Sequence, residues 1–412
     1  MRVLWFSLNP SMYDEAIYGG WVSSLERAFR IYAKDVELGI AFEYVNDACK
    51  KKRGNVTYYP IKKFSNRLDK LRWQIDSNMN WTLLKDKCLR IINEFKPDVI
   101  QCFGSEWDWG LIANETKIPV VIHMQGFLNI YTLSSHYTLR YFDYFKFYHY
   151  NPIQLFRYKY REVKNKQSLE RELKIMQMNR YFLGRTKWDK DIVCHFGQSA
   201  KYFHCDEVIR PEIYDSPKRW EFSNRDKIKL LTVSSASGLK GNGLILQTAN
   251  ILKWMNVDYS WSVAGDRNTF SLFESITGLN HNNLNINLIG KINANQIVDE
   301  ICDSDFFVQT SIIDNSPNAL CEAQLLGIPV ITTYVGGIPS LVDDSQTGFF
   351  FPYNEPYALA YKILELHGKQ QLLEYVSNNE YEISHKRHNP QIIVQNLCNI
   401  YNEIIIEEQN KN

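Results

Sequence analysis

Short apolar runs alternate along the chain with longer stretches in which apolar residues recur every three or four positions. In the first half the apolar runs are VLWFSL, DVELGIAFEYV, PDVIQCFG and PVVIHMQG. After residue 225 a second series follows, with IKLLTVSS, YSWSVAGD, NINLIGKI, DFFVQTS and IPVITT. Apolar runs followed by helical periodicity are typical of βαβ units built on a parallel sheet. The pattern therefore predicts an α/β fold with two Rossmann-like domains.

One polar segment divides the two series. Residues 209–227 carry two prolines and show neither a strand period nor a helix period, which indicates an interdomain connection. We expect a first domain over residues 1–208, a second over residues 228–385, and a cleft between their facing parallel sheets. The helical pattern of residues 386–412 predicts a C-terminal helix that packs back towards the first domain.

Aromatic and basic residues are interleaved between Tyr137 and Tyr160, within a lobe that we expect over about residues 136–180 of the first domain. Rings at the headgroup level and cations at the phosphates are features of segments that lie on anionic membranes. The segment therefore predicts peripheral membrane contact or a lipid-phosphate acceptor. The alternative is that the rings form the core of an inserted helical lobe.

Charge and cysteine usage exclude several classes of protein. The 412 residues include 47 Lys and Arg against 46 Asp and Glu, and this net charge of +1 offers no general attraction for nucleic acid. The eight cysteines form no C-x-x-C pair, so reduced thiols are expected rather than zinc or redox chemistry. The apolar runs are too short for a signal peptide or a membrane helix. We expect a cytoplasmic protein, free or at the inner face of the cell membrane.

Several well-known catalytic motifs are missing from the sequence. No G-x-G-x-x-G follows the first strand, no G-x-x-x-x-G-K-[ST] is present, and no G-x-S-x-G occurs. These absences argue against a nicotinamide dehydrogenase, a P-loop NTPase and a serine hydrolase. No D-x-D motif offers a clear metal site, so we expect neither a metal nor a tightly bound cofactor.

The most informative stretch runs from Asp305 to Phe351 as strand, acidic loop, helix, strand and glycine turn. Within it, Asp314 precedes Glu322 by eight positions, and the turn Asn-Ser-Pro-Asn, which includes Ser316, leads into the helix. The free backbone N–H groups of Asn318 and Ala319 at the helix start are suited to a diphosphate. The Glu322 carboxylate is suited to two ribose hydroxyls, and Asp314 to sugar hydroxyls. The alternative is that Asp314 only initiates the helix and that Glu322 is solvated.

This stretch resembles the E-x7-E region of family 4 glycosyltransferases, which have the two-Rossmann GT-B fold. Asp314 stands in place of the usual first glutamate and is shorter by one methylene. The resemblance implies a retaining, metal-independent transferase that uses a UDP- or GDP-linked sugar as donor. It places the donor on the second domain and the acceptor on the first, with Glu322 on the ribose and Asp314 on the sugar ring.

A second match lies in LLTVSSASGLKGNGLIL, where a strand leads through a loop into a helix. In the family this loop carries an arginine and, five positions later, a lysine, both against the donor diphosphate. Lys240 matches the lysine, whereas Ser235 stands at the arginine position. Arg185 is the candidate for a compensating phosphate contact, and an interdomain salt bridge is the alternative for it.

Three further positions match the family. Gly19 and Gly20 follow the first strand, where the family's loop lies beside the donor phosphates and the acceptor. His123 ends the strand PVVIHMQG, where the family places a histidine near the reacting sugar. Gly290 follows the strand NINLI, at the turn that the family sets beside the nucleotide base.

The expected function is transfer of a hexose-type sugar from a nucleotide-diphosphate sugar to a saccharide or lipid-linked saccharide, in surface or capsular polysaccharide or lipid-linked glycan assembly. His123, Asp314 and Lys240 are the expected catalytic residues, and catalysis would be mainly electrostatic, with no protein nucleophile. Two alternatives stay open. One is a sugar-nucleotide epimerase of the same fold, and the other is a degenerate, non-catalytic binding protein, which Ser235 suggests.

Overall fold

The computed structural model describes residues 1–13, 20–44, 48–64, 67–70, 79–138, 141–148, 151–197, 199–234 and 238–411. The chain divides into two units. The first unit comprises Met1–Asn129, Tyr158–Arg210 and His388–Asn412, and the second comprises Ile130–Arg157 and Pro211–Arg387. Each unit is a parallel sheet with helices, so the predicted α/β class with two Rossmann-like domains is confirmed.

The first unit is built on a sheet of eight strands in the order β3-β4-β2-β1-β5-β6-β7-β8 within the described residues. The strands are β1 Arg2–Ser7, β2 Glu37–Tyr44, β3 Lys51–Arg53, β4 Val56–Lys62, β5 Val99–Phe103, β6 Val120–His123, β7 Tyr181–Gly184 and β8 Lys201–His204. All neighbours are parallel except β3 and β4. The near-continuous apolar runs of β1 and β5 fit strands that are covered on both faces.

The second unit is built on a sheet of six strands, parallel throughout, in the order β11-β10-β9-β12-β13-β14 within the described residues. The strands are β9 Ile228–Ser234, β10 Tyr259–Gly265, β11 Ile286–Gly290, β12 Phe306–Gln309, β13 Val330–Thr333 and β14 Phe349–Phe351. The strand order reverses between β9 and β12, as it does between β1 and β5 in the first sheet. Open α/β sheets bind their ligands beyond the carboxyl ends of the strands at such points.

Helices connect most of these strands. They are α1 Trp21–Tyr32, α2 Met79–Phe95, α3 Leu128–Thr138, α4 Tyr141–Phe147, α5 Pro152–Met178, α6 Lys187–Phe196, α7 Pro211–Tyr214, α8 Asn242–Trp254, α9 Arg267–Thr277, α10 Ala294–Asp303, α11 Asn318–Leu326, α12 Pro356–Leu366, α13 Gln370–Arg387 and α14 Pro390–Gln409. None of the helices in the described part of the chain has the length and apolar character of a membrane span.

The C-terminal helix α14 is part of the core of the first unit. It packs against α1, and its residues from Ile393 to Ile404 share one apolar cluster with β1, β2 and β5. In this cluster the Trp5 ring contacts Phe29 at 5.1 Å and Phe103 at 5.3 Å between centroids. The structure thus places the last helix in the core of the first unit.

Two segments group differently from the sequence-based division. Residues Ile130–Arg157, which include much of the aromatic and basic lobe, belong to the second unit, where α4 packs against α9. Most of the expected connection at residues 209–227 also packs into the second unit. There Trp220 is buried, its backbone N–H donates to Leu326 O at 2.8 Å, and its indole N–H donates to Ser304 O at 2.8 Å.

Candidate functional site

Two loops meet at the carboxyl edge of the second sheet, where the strand order reverses. The loop after β9 and the loop after β12 are joined by bonds from Ile312 N to Leu239 O at 2.8 Å and from Thr310 Oγ1 to Lys240 O at 2.7 Å. Gly241 has φ of 72°, and a Cβ there would lie 1.9 Å from Thr310 O. Only glycine allows the backbone of residue 241 to lie this close to Thr310 O. The Lys-Gly pair noted in the sequence therefore lies where the first loop packs against the second.

Lys240 and Asp314 form an ion pair at this junction. The distance from Lys240 Nζ to Asp314 Oδ2 is 2.5 Å, and the two side chains are 20% and 15% exposed. Asp314 also accepts from Ser311 Oγ at 3.1 Å and from Asn315 N at 3.1 Å. The two residues that the sequence assigned to diphosphate and sugar therefore lie together, and each is the other's partner.

A glycine turn holds the backbone of Asp314. Gly337 N donates to Asp314 O at 2.9 Å. Gly336 has φ of 55°, and a Cβ on it would lie 1.9 Å from the same oxygen. The turn expected after β13 thus supports the loop that carries the acidic residue, and a side chain at Gly336 would displace it.

Helix α11 begins beside these loops without a side-chain cap. Its N-cap is Pro317, and the oxygen of Pro317 accepts from Leu320 N at 2.9 Å and from Cys321 N at 3.2 Å. Asn318 and Ala319 are half-buried in the first turn. Helix N-termini of this kind attract anions because their N–H groups and the macrodipole point towards the ligand.

Glu322 lies one turn further along α11 and is only 7% exposed. The alternative of a solvated helix residue is therefore wrong, since burial of a carboxylate requires polar partners. Ser316, in the turn before the helix, is 9% exposed, and its Oγ lies 3.8 Å from Cys321 Sγ. The carboxyl edge of the second sheet, called the second edge below, thus brings together Lys240, Asp314, Ser316, Asn318, Ala319 and Glu322.

Gly290 ends β11 with φ of 74°, and Arg267 is its neighbour. The Arg267 guanidinium donates to Leu288 O at 2.8 Å, and a Cβ on Gly290 would lie 3.8 Å from two of its nitrogens. The sequence analysis missed Arg267, which begins α9 directly after Asp266 caps it. A basic residue just after an N-cap that follows a strand was the available signal.

Ser235 and Gly19 lie outside the described residues, so their predicted roles stay predictions. Gly20 lies at the start of α1 with φ of 93°, and a Cβ there would lie 3.3 Å from Asn9 Nδ2. This conformation suits glycine, which explains the residue type at the end of the loop.

His123 is buried at the carboxyl edge of the first sheet, called the first edge below. It is 1% exposed, stacks on Phe103 at 5.7 Å and meets the edge of Trp21 at 4.8 Å. Burial lowers the pKa of His123 well below its usual value, and the nearby Arg185 adds to the effect. His123 is therefore neutral at physiological pH and does not act as a cation.

Arg185 follows β7 and pairs with Glu207 in the same unit. Its guanidinium also lies 5.2 Å from the Trp21 ring and donates to Gln125 O at 3.3 Å. Both charged side chains are buried. The cation predicted as a phosphate contact is thus held in an ion pair, and a phosphate would have to compete with Glu207.

The sequence analysis also missed Glu106, on the loop that follows β5. Its Oε2 is buried and has no hydrogen-bond partner among the described residues. Burial raises the pKa of Glu106 to about 8, and the nearby Glu172 adds to this effect. Gly104 has φ of 86°, and a Cβ there would lie 2.2 Å from Glu106 Oε2. A glycine and an acidic residue closely following a buried strand at the switch point were the available signal.

Metal ligands are not clustered in the described ranges. No group of three or more His, Cys, Asp or Glu side chains lies together there as a metal-binding set. Among the described residues, the second edge carries the Lys240 ammonium paired with the Asp314 carboxylate, and the N-terminus of α11 with the buried Glu322 lies on the segment that follows.

Comparison with known proteins finds a family model that matches part of the second unit. Residues 216–383 match the family model described as glycosyl transferases group 1. A phosphatidylinositol N-acetylglucosaminyltransferase GPI3 subunit from Saccharomyces cerevisiae is 26% identical over 133 residues, which cover 32% of this chain and 29% of the yeast protein. The amylovoran biosynthesis glycosyltransferase AmsK from Erwinia amylovora is 23% identical over 160 residues, 36% of this chain and 39% of AmsK. The chain thus spans less than half the length of these relatives.

Solved structures match the whole chain in fold. Sucrose-phosphate synthase from Thermosynechococcus elongatus superposes with a TM-score of 0.73 at 12% identity, over 98% of this chain and 99% of the other. Anabaena HepE, solved in complex with UDP and glucose, superposes with a TM-score of 0.65 at 15% identity, over 97% and 98%. At this level of identity the likeness concerns the fold alone.

Proposed function

We propose that this chain, which has the GT-B fold and carries a group 1 glycosyltransferase domain, is a retaining glycosyltransferase. It would transfer a hexose-type sugar from a UDP- or GDP-linked donor to a saccharide or lipid-linked saccharide. The observation that carries the proposal is the meeting of Lys240, Asp314 and the α11 N-terminus with Glu322 at the switch point of the second sheet. The chemistry of these groups suits the diphosphate, the sugar and the ribose of a nucleotide-diphosphate sugar.

The diphosphate is the part of the donor that needs positive charge. Lys240 offers an ammonium, and the uncapped start of α11 offers the amides of Asn318 and Ala319. Together they can balance a diphosphate without a metal ion, which is why we propose metal-independent transfer. The buried Glu322 carboxylate is suited to the ribose hydroxyls, because each hydroxyl can donate to one carboxylate oxygen.

Asp314 would change partners when the donor binds. Its Oδ2 is paired with Lys240 in the structure, and a diphosphate that takes over the ammonium would release the carboxylate. The released carboxylate can accept from hydroxyls of the transferred sugar. Stabilisation of the departing diphosphate by charges already in place would then lower the barrier, and no protein nucleophile is required. Retention follows when the acceptor hydroxyl enters on the face that the diphosphate leaves. Its oxygen then bonds to the anomeric carbon as the bond from that carbon to the diphosphate oxygen breaks, and its proton passes to the departing diphosphate.

The experiment that tests donor binding is thermal unfolding of the wild type with UDP, GDP, ADP or CMP. A nucleotide that binds only the folded state raises the melting temperature. We expect one nucleoside diphosphate to raise it and the shift to be lost in Glu322→Ala. The matched control is Glu365→Ala, an acidic residue on α12 whose side chain pairs with Lys362.

Two results would count against a transferase. If none of the nucleotides shifts the melting temperature, the degenerate binding protein suggested by Ser235 is favoured. If the control loses the shift as fully as Glu322→Ala does, the effect comes from general destabilisation and the assignment of Glu322 fails.

Exposed apolar side chains beside cations support a lipid-linked acceptor and membrane contact. In the second unit Phe142 is 73% exposed, Ile153 62% and Phe156 73%, with Lys146 and Arg157 nearby in sequence. Apolar side chains next to cations are suited to an anionic bilayer surface. The names of two relatives also point to cell-surface glycans, since AmsK is named for amylovoran and Staphylococcus aureus CapM for capsular polysaccharide biosynthesis. Residues 139–140 and 149–150 of this segment lie outside the described residues.

Sedimentation with vesicles tests this membrane contact. We expect the wild type to sediment with vesicles that contain anionic lipid and not with neutral ones, and Phe142→Ser with Phe156→Ser to abolish it. Trp254→Ser is the matched control, because Trp254 is 79% exposed at the end of α8 in the same unit. Equal sedimentation of wild type and double variant would remove the membrane role from this segment.

A further inference from the structure

Four buried side chains of the first unit form one line of hydrogen bonds that ends at His123. Trp5 Nε1 lies 3.1 Å from Tyr401 Oη, Tyr401 Oη lies 2.5 Å from Gln101 Oε1, and Gln101 Nε2 lies 3.2 Å from His123 Nδ1. Each of the four is at most 1% exposed. The line joins strands β1, β5 and β6 with helix α14.

Trp5 fixes the direction of the first bond in this line, and the orientation of the Gln101 amide gives the direction of the other two. An indole N–H can only donate, so the Tyr401 oxygen accepts from Trp5 and its own O–H points elsewhere. The Gln101 amide oxygen is the partner that receives this O–H. The amide nitrogen of Gln101 then faces His123, and because an amide N–H donates, His123 Nδ1 must accept.

We propose that Tyr401 and Gln101 are positioning residues that fix His123 as the neutral tautomer with its proton on Nε2. His123 thereby presents an N–H donor to an oxygen of the saccharide that is bound at the first edge. Only the identity of that ligand rests on the proposed function. The tautomer follows from the hydrogen-bond line itself.

The surroundings of the ring support this assignment. Within the described residues, His123 Nε2 is buried and has no hydrogen-bond partner, and a buried donor of this kind is unusual unless a ligand uses it. Burial lowers the pKa of His123 well below its usual value and raises that of Tyr401 well above its own, so the imidazole stays neutral and the phenol keeps its proton. Arg185, the charged group that acts on the ring, disfavours a second positive charge.

The ring cannot easily exchange its two nitrogens by turning. Phe103 stacks on one face at an interplanar angle of 21°, and Trp21 meets the ring at 69°. A ring that is packed on Phe103 and Trp21 keeps the same nitrogen towards Gln101. The donor is therefore organised before any ligand arrives.

Nitrogen NMR of histidine side chains tests the proposal on the full chain without any ligand. In protein labelled with nitrogen-15 in its nine histidines, His123 is assigned by its loss in His123→Gln. We expect His123 to show a protonated Nε2 and an unprotonated Nδ1, unchanged between pH 6 and pH 8. A protonated Nδ1 or an imidazolium in the wild type would overturn the assignment.

Tyr401→Phe then tests whether the line of hydrogen bonds sets the tautomer of His123. Without the phenol O–H, the Gln101 amide can turn its oxygen towards His123, so the Nδ1-protonated tautomer should appear. Tyr181→Phe is the matched control, since Tyr181 is a phenol of the same unit that donates to Glu408 of α14 outside this line. If Tyr401→Phe leaves the His123 signals as in the control, the phenol does not set the tautomer and the proposal fails.

Gln101→Leu keeps the test open if Tyr401→Phe does not fold. It replaces the donor to Nδ1 by an apolar side chain of similar size. This variant should also give a mixture of tautomers. A pure Nε2-protonated His123 in Gln101→Leu would show that the line is not needed. Because this readout involves no nucleotide, its failure leaves the proposed function untouched, and absence of nucleotide binding leaves the tautomer result untouched.

Discussion

The carboxyl edges of the two sheets use different chemical groups although both sheets have the same reversal of strand order. At the second edge an ammonium, a carboxylate and a helix N-terminus lie on loops that glycines hold together. At the first edge the groups are buried and neutral or paired, as for His123 between two rings and Arg185 with Glu207. The difference suits a charged nucleotide diphosphate at the second edge and an uncharged saccharide at the first.

The largest effect should come from removing the cation of the second edge. Lys240→Met should lower kcat/KM by roughly 10²-fold or more. The reason is that a positive group already in position beside the departing diphosphate stabilises the negative charge that develops on it in the transition state. The measurement is steady-state transfer from the nucleotide sugar whose nucleotide stabilises the wild type. Lys253→Met is the control, since Lys253 is a surface lysine of the same unit that donates to Asn283 O. An equal, small loss in both would mean that the diphosphate is balanced by another group.

The next effect concerns the glycine that joins the two loops. Gly241→Ala should lower the free energy of unfolding by about 2–4 kcal/mol, from positive-φ strain and from the contact with Thr310 O. Gly278 has φ of 73°, like Gly241 at 72°, but a Cβ there would meet nothing within 4 Å. Gly278→Ala should therefore cost only about 1 kcal/mol. Equal costs in urea unfolding would show that the loops can separate.

A pH-dependent effect should distinguish the first edge. The pKa of Glu106 is raised from 4.5 to about 8, so between these values the unfolded chain loses a proton that the folded chain keeps. Stability therefore falls as pH rises across this window, by up to roughly 1.4 kcal/mol per pH unit, and less where solvent screens the group. Glu106→Gln cannot ionise, so its advantage over the wild type should grow from pH 5.5 to pH 8.5.

Three charged neighbours bear on that carboxyl, namely Glu172, Arg185 and Asp189, and Arg171 donates to the Glu106 backbone oxygen at 2.6 Å. The control is Glu365→Gln, because Lys362 lowers the pKa of Glu365 and the substitution should not stabilise at high pH. The measurement is the melting temperature at each pH. A constant difference between Glu106→Gln and wild type would place the Glu106 carboxylate in water.

The smallest effect is a change in nucleotide affinity with an unusual sign. Asp314→Asn removes the carboxylate that is paired with Lys240, so UDP or GDP should bind up to about fivefold more tightly, the range of a partly exposed ion pair. Transfer should nevertheless fall, because an amide NH2 that can only donate replaces one of the two carboxylate oxygens that would accept from the sugar. Calorimetric titration measures the first effect. Weaker nucleotide binding would mean that Asp314 orients Lys240 for the diphosphate and does not compete with it.

The positions of the residues at the second edge could be predicted because each lies in a short stretch that closely follows a strand. Lys240 and Asp314 lie on loops after strands and Glu322 lies on the helix that follows, and parallel strands bring such segments to one edge. The roles predicted for them stay predictions. The mutual pairing of Lys240 and Asp314 was not predicted. The two residues are 74 positions apart, and sequence spacing alone does not determine which partner a side chain takes.

The first edge was predicted only in part. The strand pattern indicated where His123 lies, but its line to Tyr401 includes a contact between residues 300 positions apart and depends on how α14 packs. The grouping of Ile130–Arg157 with the second unit was also missed, because aromatic residues show that a segment will be buried without showing against what. Glu106 and Arg267 were missed because their position after a strand, although an available signal, is not joined by a fixed spacing to a second residue of the site.

The placement of α14 has a consequence for how the chain folds as it is made. Synthesis releases the chain from its N-terminus, and domains usually fold in that order. Here every residue of the second unit precedes α14, whereas the core of the first unit needs Ile393, Leu397 and Tyr401 from that helix. The half that emerges first is therefore completed last. Until α14 leaves the ribosome, the apolar side chains of β1 and α1 lack the residues of α14 that cover them in the folded chain.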